Sequence, residues 1–135
     1  MLRASLLWLS EQQQVFRFIR RSGLAKRLAS RFVAGETLDE GVAAVRELNR
    51  AGISASLDLL GESVTKPEEA RQARDMYLNT LDRIHTAGLD ANVSVKLTQM
   101  GLDIAEELAI ANMSSIIERA AARASFARID MEGSA

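Results

Sequence analysis

The chain has 135 residues, 47% hydrophobic and 26% charged, a globular balance that excludes disorder by composition and leaves room for one domain. It contains no cysteine and one histidine, His85. Disulfides, thiolate metal sites and cysteine nucleophiles are excluded, and a His-rich metal centre or a Ser-His-Asp triad is argued against. The net charge of −1 is unevenly spread: residues 1–33 hold seven Lys or Arg against the single acid Glu11, and the remainder holds ten against seventeen acids.

From the start of the chain, residues 2–33 read as two or three short amphipathic helices with a break near Ser22-Gly23. No apolar run approaches the roughly 20 residues needed to span a bilayer. The apolar stretch before Ser10 lacks a small-residue cleavage site, so a cytoplasmic protein is the default expectation. The basic segment suits contact with an anionic surface, or with the acidic remainder of the chain. Few aromatics accompany its arginines, which speaks against nucleic acid.

Capping patterns divide the chain into helical segments. Ser10-x-x-Gln13, Thr37-x-x-Glu40, Thr65-x-x-Glu68 and, more loosely, Asp103-x-x-Glu106 each predict a helix start, with Pro67 in a first turn. Behind the last three the apolar period is helical. Leu38, Val42, Val45 and Leu48 form a stripe that stops at Ala51-Gly52. Ala70, Ala73, Tyr77, Leu81 and Ile84 form a second, ending at Gly88. Ala105, Leu108, Met113, Ile116 and Ala120 form a third, interrupted by Asn112.

Between these helices lie three runs of period two: Ile53 to Leu60, Val93 to Thr98, and Phe126 to Met131. One helix separates each pair of strands, which is the βαβ repeat and implies parallel pairing. Each strand has one apolar and one polar face, unlike the continuous apolar strands of a sheet covered on both sides. Helices cover the apolar face; the polar face then requires an enclosed, ligand-filled space such as the lumen of a β/α barrel, or else one solvated face of an edge sheet. Asp58, Lys96 and Asp130 share the polar parity near the C-terminal strand ends, where barrel enzymes build their sites. A barrel needs eight strands and about 250 residues, so the expected fold is the N-terminal part of a (β/α)8 barrel. Its first three strands and two helices would lie in residues 52–135, preceded by a helical segment over residues 1–51.

No G-x-G pair or Walker A is present, which excludes the common nucleotide-binding loops. The least ordinary residue is Lys96, a lysine between Val95 and Leu97 on a strand. It suits a carboxylate substrate, a reduced anionic cofactor or a Schiff base, or else snorkels from an edge. Asp130 is its natural counter-charge on the neighbouring strand, and Asp58 and Glu62 add negative charge to the same rim. His85, near a helix end, reads as a surface or C-terminal capping residue.

Four segments in this order carry a family resemblance: Arg31-Phe-Val-Ala-Gly-Glu-Thr-Leu-Asp39, Leu57-Asp-Leu-Leu-Gly-Glu-Ser-Val64, Asn92-Val-Ser-Val-Lys-Leu-Thr-Gln-Met-Gly101 and Arg128-Ile-Asp-Met-Glu-Gly133. The chain resembles the bacterial monofunctional proline dehydrogenases, flavoenzymes on a β/α barrel. The resemblance implies oxidation of L-proline to Δ1-pyrroline-5-carboxylate with FAD as cofactor and a membrane quinone as electron acceptor. It implies that Lys96 contacts substrate, that Asp130 is an active-site residue, that Met131 touches FAD through its backbone, and that Glu62 helps close the substrate site. The basic N-terminal helices would then give peripheral contact with the inner membrane. The later strands of that family, with most flavin contacts and an arginine pair, have no counterpart here, so this chain alone is expected to bind FAD poorly and to oxidise proline negligibly. A lysine-dependent aldolase barrel and a non-catalytic remnant are the other readings of these residues.

Overall fold

The computed structural model describes residues 35–61 and 64–130. Glu62, Met131 and the helices expected within residues 2–33, with the cap at Ser10, lie outside the described residues. From Leu38 onward the chain forms one compact unit. Three helices alternate with three strands: α1 (Leu38–Arg50), β1 (Ala55–Asp58), α2 (Pro67–Thr86), β2 (Ala91–Val95), α3 (Glu106–Ala122) and β3 (Ala127–Ile129). The sheet has the order β1-β2-β3 and is parallel throughout.

The helix starts follow local chemistry, with two differences from the sequence reading. Helix α1 begins directly after Thr37. At α2 the cap is Lys66 rather than Thr65, because Pro67 disfavours helical geometry in the residue before it and Lys66 stays extended. The partner is correspondingly Glu69, whose carboxylate accepts the N–H groups of Thr65 at 3.0 Å and Lys66 at 3.1 Å. The Thr65 N–H in particular holds that carboxyl below its ordinary pKa. Before α3, Asp103 is not the cap. Gly101 O accepts from Ile104 and Ala105, which closes a turn around Asp103, and the helix starts after Ala105.

All three helices end alike. The left-handed residues Gly52, Gly88 and Ala124 follow α1, α2 and α3, and the next N–H in each case reaches back to a carbonyl of the last turn: Ile53 to Leu48, Leu89 to Ile84, Ser125 to Ala120. Glycine serves the first two at no steric cost. Ala124, at φ 53°, carries a Cβ where L-residues are disfavoured by about 1–2 kcal/mol.

The core forms where α2 and α3 pack on each other and on the sheet. Tyr77, Leu81, Ile84, Met113 and Ile116 meet Val93, Val95 and Met100, with Leu57 and Ala127 at the margins. Each fully buried large apolar side chain contributes roughly 1.5–3 kcal/mol. The helical stripes match this core except that Leu48 is exposed. In β1 the alternation is as read, Ala55 and Leu57 half-buried and Ser56 and Asp58 outward. The central strand differs: Val93, Ser94 and Val95 are all buried, so β2 is covered on both faces. It also stops at Val95, three residues sooner than its pattern suggests. Met100 and Leu102 donate to Leu97 O and bend the chain into a turn. Strand β3 is likewise shorter than its pattern, and Phe126 and Ile129 are exposed.

Because Ala124 bears the strain that glycine relieves at the two equivalent ends, Ala124→Gly should raise stability by about 0.5–1 kcal/mol. Gly88→Ala should lower it by about 1 kcal/mol. Urea denaturation midpoints of the two variants check the opposite signs.

Candidate functional site

The site is assembled by strand register. Asp58 pairs with Ser94, and Ser94 with Arg128, so these three polar residues form one row across the sheet. One step further, Lys96 follows directly on β2 and Asp130 directly on β3; the Asp130 N–H donates to Val95 O at 2.9 Å, continuing the parallel ladder beside Lys96. Parallel pairing thus brings Asp58, Lys96 and Asp130 to the same C-terminal end of the sheet.

Lys96 Nζ lies 3.7 Å from Asp58 Oδ2, with the two side chains 16% and 34% exposed. Asp58, read from sequence only as additional rim charge, is therefore in ion-pair contact with the lysine. A pair at this separation attracts by about 1 kcal/mol in water and about 4 kcal/mol at a protein surface, before the cost of desolvation. Its main effect is to orient the ammonium.

Below this pair lies a hydrogen-bonded couple that the apolar stripe of α2 conceals. Tyr77 is fully buried, and its hydroxyl emerges under the end of β1. Its single proton is shared between Gln99 Oε1 at 2.9 Å and Asp58 Oδ1 at 3.3 Å, and its oxygen accepts the Leu59 N–H at 3.4 Å. Gln99, also buried, donates from Nε2 to Leu59 O at 3.1 Å and Gly61 O at 3.3 Å. Burial pushes the Tyr77 phenol above its ordinary pKa, and the negative charges of Asp58 and Asp130 add to this.

Asn112, the interruption in the stripe of α3, has a comparable role. It is buried, donates to Met100 O at 3.0 Å and accepts from Arg74 at 3.4 Å, which ties α3 to the loop after Lys96. A buried amide that binds a carbonyl satisfies both groups. Tyr77, Gln99 and Asn112 could have been suspected as polar atoms on apolar stripes or turns that require partners; which partners they choose is set by tertiary packing. His85 is exposed in the last turn of α2, at the opposite end of the sheet. It lines a cleft of about 240 Å³ with Asp90, Arg123 and Ser125. Among the described residues no cluster of His, Cys, Asp or Glu could hold a metal ion, and no helix is long and apolar enough to cross a membrane.

Residues 42–135 match the family model described as proline dehydrogenase. The chain belongs to the proline dehydrogenase family. It is 37% identical over 132 residues to proline dehydrogenase 1 of Bacillus subtilis subsp. natto, covering 98% of this chain and 43% of that protein. It is 35% identical over 133 residues to proline dehydrogenase of Deinococcus radiodurans, covering 96% and 42%, and 31% identical over 126 residues to proline dehydrogenase 2 of Bacillus subtilis, covering 87% and 42%. The chain thus spans less than half the length of these proline dehydrogenases, and corresponds to their N-terminal portion.

Tyr77 is the only tyrosine of these 135 residues, so in the isolated chain the 295 nm absorbance of tyrosinate reports it alone. Its raised pKa means that the fold favours the neutral phenol. That stabilisation is present below the ordinary value of about 10 and is lost as pH rises above it. The native protein should show no tyrosinate signal through about pH 10.5, and the signal should appear together with loss of helical circular dichroism. A native-state titration near pH 10 would contradict the hydrogen-bonded burial of this hydroxyl.

Proposed function

We propose that the protein carrying this chain oxidises L-proline to Δ1-pyrroline-5-carboxylate with FAD and passes the electrons to a quinone. In this reading the three strands are the first three of a (β/α)8 barrel, preceded in the chain by a helical segment over residues 1–51. The observation that carries the reading is the Lys96–Asp58 pair at the C-terminal end of a parallel sheet in a chain of this family.

The residues present fit a bound polar cofactor and a zwitterionic substrate. Ser94 Oγ is buried and makes no hydrogen bond among the described residues, an arrangement that a buried hydroxyl tolerates poorly unless something else pairs with it. It lies in the polar row between Asp58 and Arg128, one step before Lys96. FAD, when bound, supplies a hydride acceptor for the ring carbon of proline, and the protein's part is to bind, orient and exclude water. Lys96 binds the substrate carboxylate, a contact strengthened by its partial burial. Asp58 keeps the lysine aimed between turnovers. Asp130 supplies negative charge beside the site, on the side suited to the substrate's ammonium. The Met131 backbone contacts FAD and Glu62 closes the site in this reading; both lie outside the described residues. The basic residues Arg20, Arg21, Lys26 and Arg27 provide peripheral contact with the membrane that holds the quinone.

Lys96→Met should lower kcat/KM for proline by about 100-fold or more, the scale expected when a partly buried charge-assisted contact is removed. Asp130→Asn should lower it by at least tenfold, with flavin content unchanged in both variants. Wild-type kinetics in Lys96→Met would overturn the assignment of the substrate carboxylate to this lysine.

A further inference from the structure

The couple formed by Tyr77 and Gln99 has more connections than packing of α2 requires. A tyrosine that served only to fill the core would need one partner for its hydroxyl. Tyr77 has three groups around it, the Gln99 carbonyl oxygen, the Asp58 carboxylate and the Leu59 N–H. Gln99 in turn holds two carbonyls of the loop that leaves β1, those of Leu59 and Gly61. Four segments thus converge on one buried point: α2 through Tyr77, the end of β1 through Asp58, the following loop through Leu59 and Gly61, and the turn after β2 through Gln99.

The geometry matters because Asp58 uses both carboxylate oxygens. Oδ1 accepts at 3.3 Å from the Tyr77 hydroxyl, whose proton it shares with Gln99 Oε1, while Oδ2 faces Lys96 Nζ at 3.7 Å. Fixing one oxygen restricts rotation of the carboxylate and therefore fixes the other. Tyr77 itself is buried under the sheet and belongs to the core, so it is set apart from any ligand at the strand ends. Its influence must pass through Asp58.

We infer that Tyr77 and Gln99 are positioning residues, a buried clamp that locks the first strand-to-helix loop and holds the Asp58 carboxylate so that Lys96 is aimed at the substrate. The inference rests on the assignment of Lys96 as the substrate-carboxylate contact. Loss of the clamp loosens the lysine before substrate arrives, so binding suffers more than the chemical step.

The test is a double-mutant cycle in the complete flavin-loaded protein, with L-proline as substrate and thermal midpoints measured for every variant. Tyr77→Phe removes only the hydroxyl; it should raise KM by about threefold to tenfold and leave kcat within twofold. In the Lys96→Met background the same substitution should leave KM unchanged, because the residue through which it acts is already gone. A purely structural role predicts the opposite: an equal effect in both backgrounds that follows the loss of thermal stability. That outcome, or an unchanged KM in Tyr77→Phe alone, overturns the inference. If Lys96→Met itself leaves KM and kcat unaltered, the assignment of the lysine fails instead, and the two failures are thereby separated. Gln99→Leu breaks the same clamp from the loop side and decides the question by the same criteria where Tyr77→Phe does not fold.

Discussion

The constraint on which the rest depends is the parallel register between β1 and β2. Pairing Asp58 with Ser94 places Lys96 one row beyond, diagonal to Asp58, at a distance its side chain spans. A slip of β1 by one residue against β2 would turn Asp58 into the core and Leu57 out of it, with loss of buried apolar surface and of the contact between Asp58 and Lys96. The same packing of Tyr77, Leu81 and Ile116 against Val93 and Val95 that stabilises the sheet therefore also holds the charged pair in place.

Loops complete what register begins. The chain after β2 turns at once, and its buried residues face both ways: Gln99 toward the loop after β1, Met100 toward the core and, through its carbonyl, toward Asn112 on α3. The ends of β1 and β2 are thus each tied to a helix and to the neighbouring loop. Such ties give a charged side chain a defined direction, which a site needs if it is to bind without reorganising. At the opposite end of the sheet the connections are of another kind. Asn49 bridges Ile53 O and Asp90 O, and Asp82 joins Arg119 and Arg123 across α2 and α3. The Arg123 hydrogen bond in particular keeps the Asp82 carboxyl below its ordinary pKa. These contacts link elements of the scaffold away from the polar row.

Much of this was legible in the residues. The βαβ order followed from caps, helical stripes and period-two runs, and the polar parity of Asp58, Lys96 and Asp130 marked the strand ends that the structure brings together. Local rules failed where a competing local rule was stronger. Pro67 moved the cap of α2 to Lys66, and the turn closed on Gly101 moved the start of α3 beyond Asp103. The end of α3 carried no glycine to announce it, although positions 52, 88 and 124 are evenly spaced and perform the same function. Tyr77 and Gln99 were hidden for a deeper reason. Tyr77 obeys the apolar period of its helix, and the hydrogen bond that gives it a second role joins residues far apart in sequence, which periodicity does not encode. The burial of Ser94 was hidden likewise, since alternation reports which face a side chain takes and not what covers that face.

The central claim is that the polar row at the strand ends receives the carboxylate of proline through Lys96. A structure of the complete flavin-loaded protein with a non-oxidisable proline analogue tests it most directly. The account predicts a carboxylate oxygen of the analogue within hydrogen-bond distance of Lys96 Nζ, with Asp58 still facing both Lys96 and the Tyr77 hydroxyl. An analogue bound with its carboxylate remote from Lys96, or a lysine turned away from the strand ends, would contradict it.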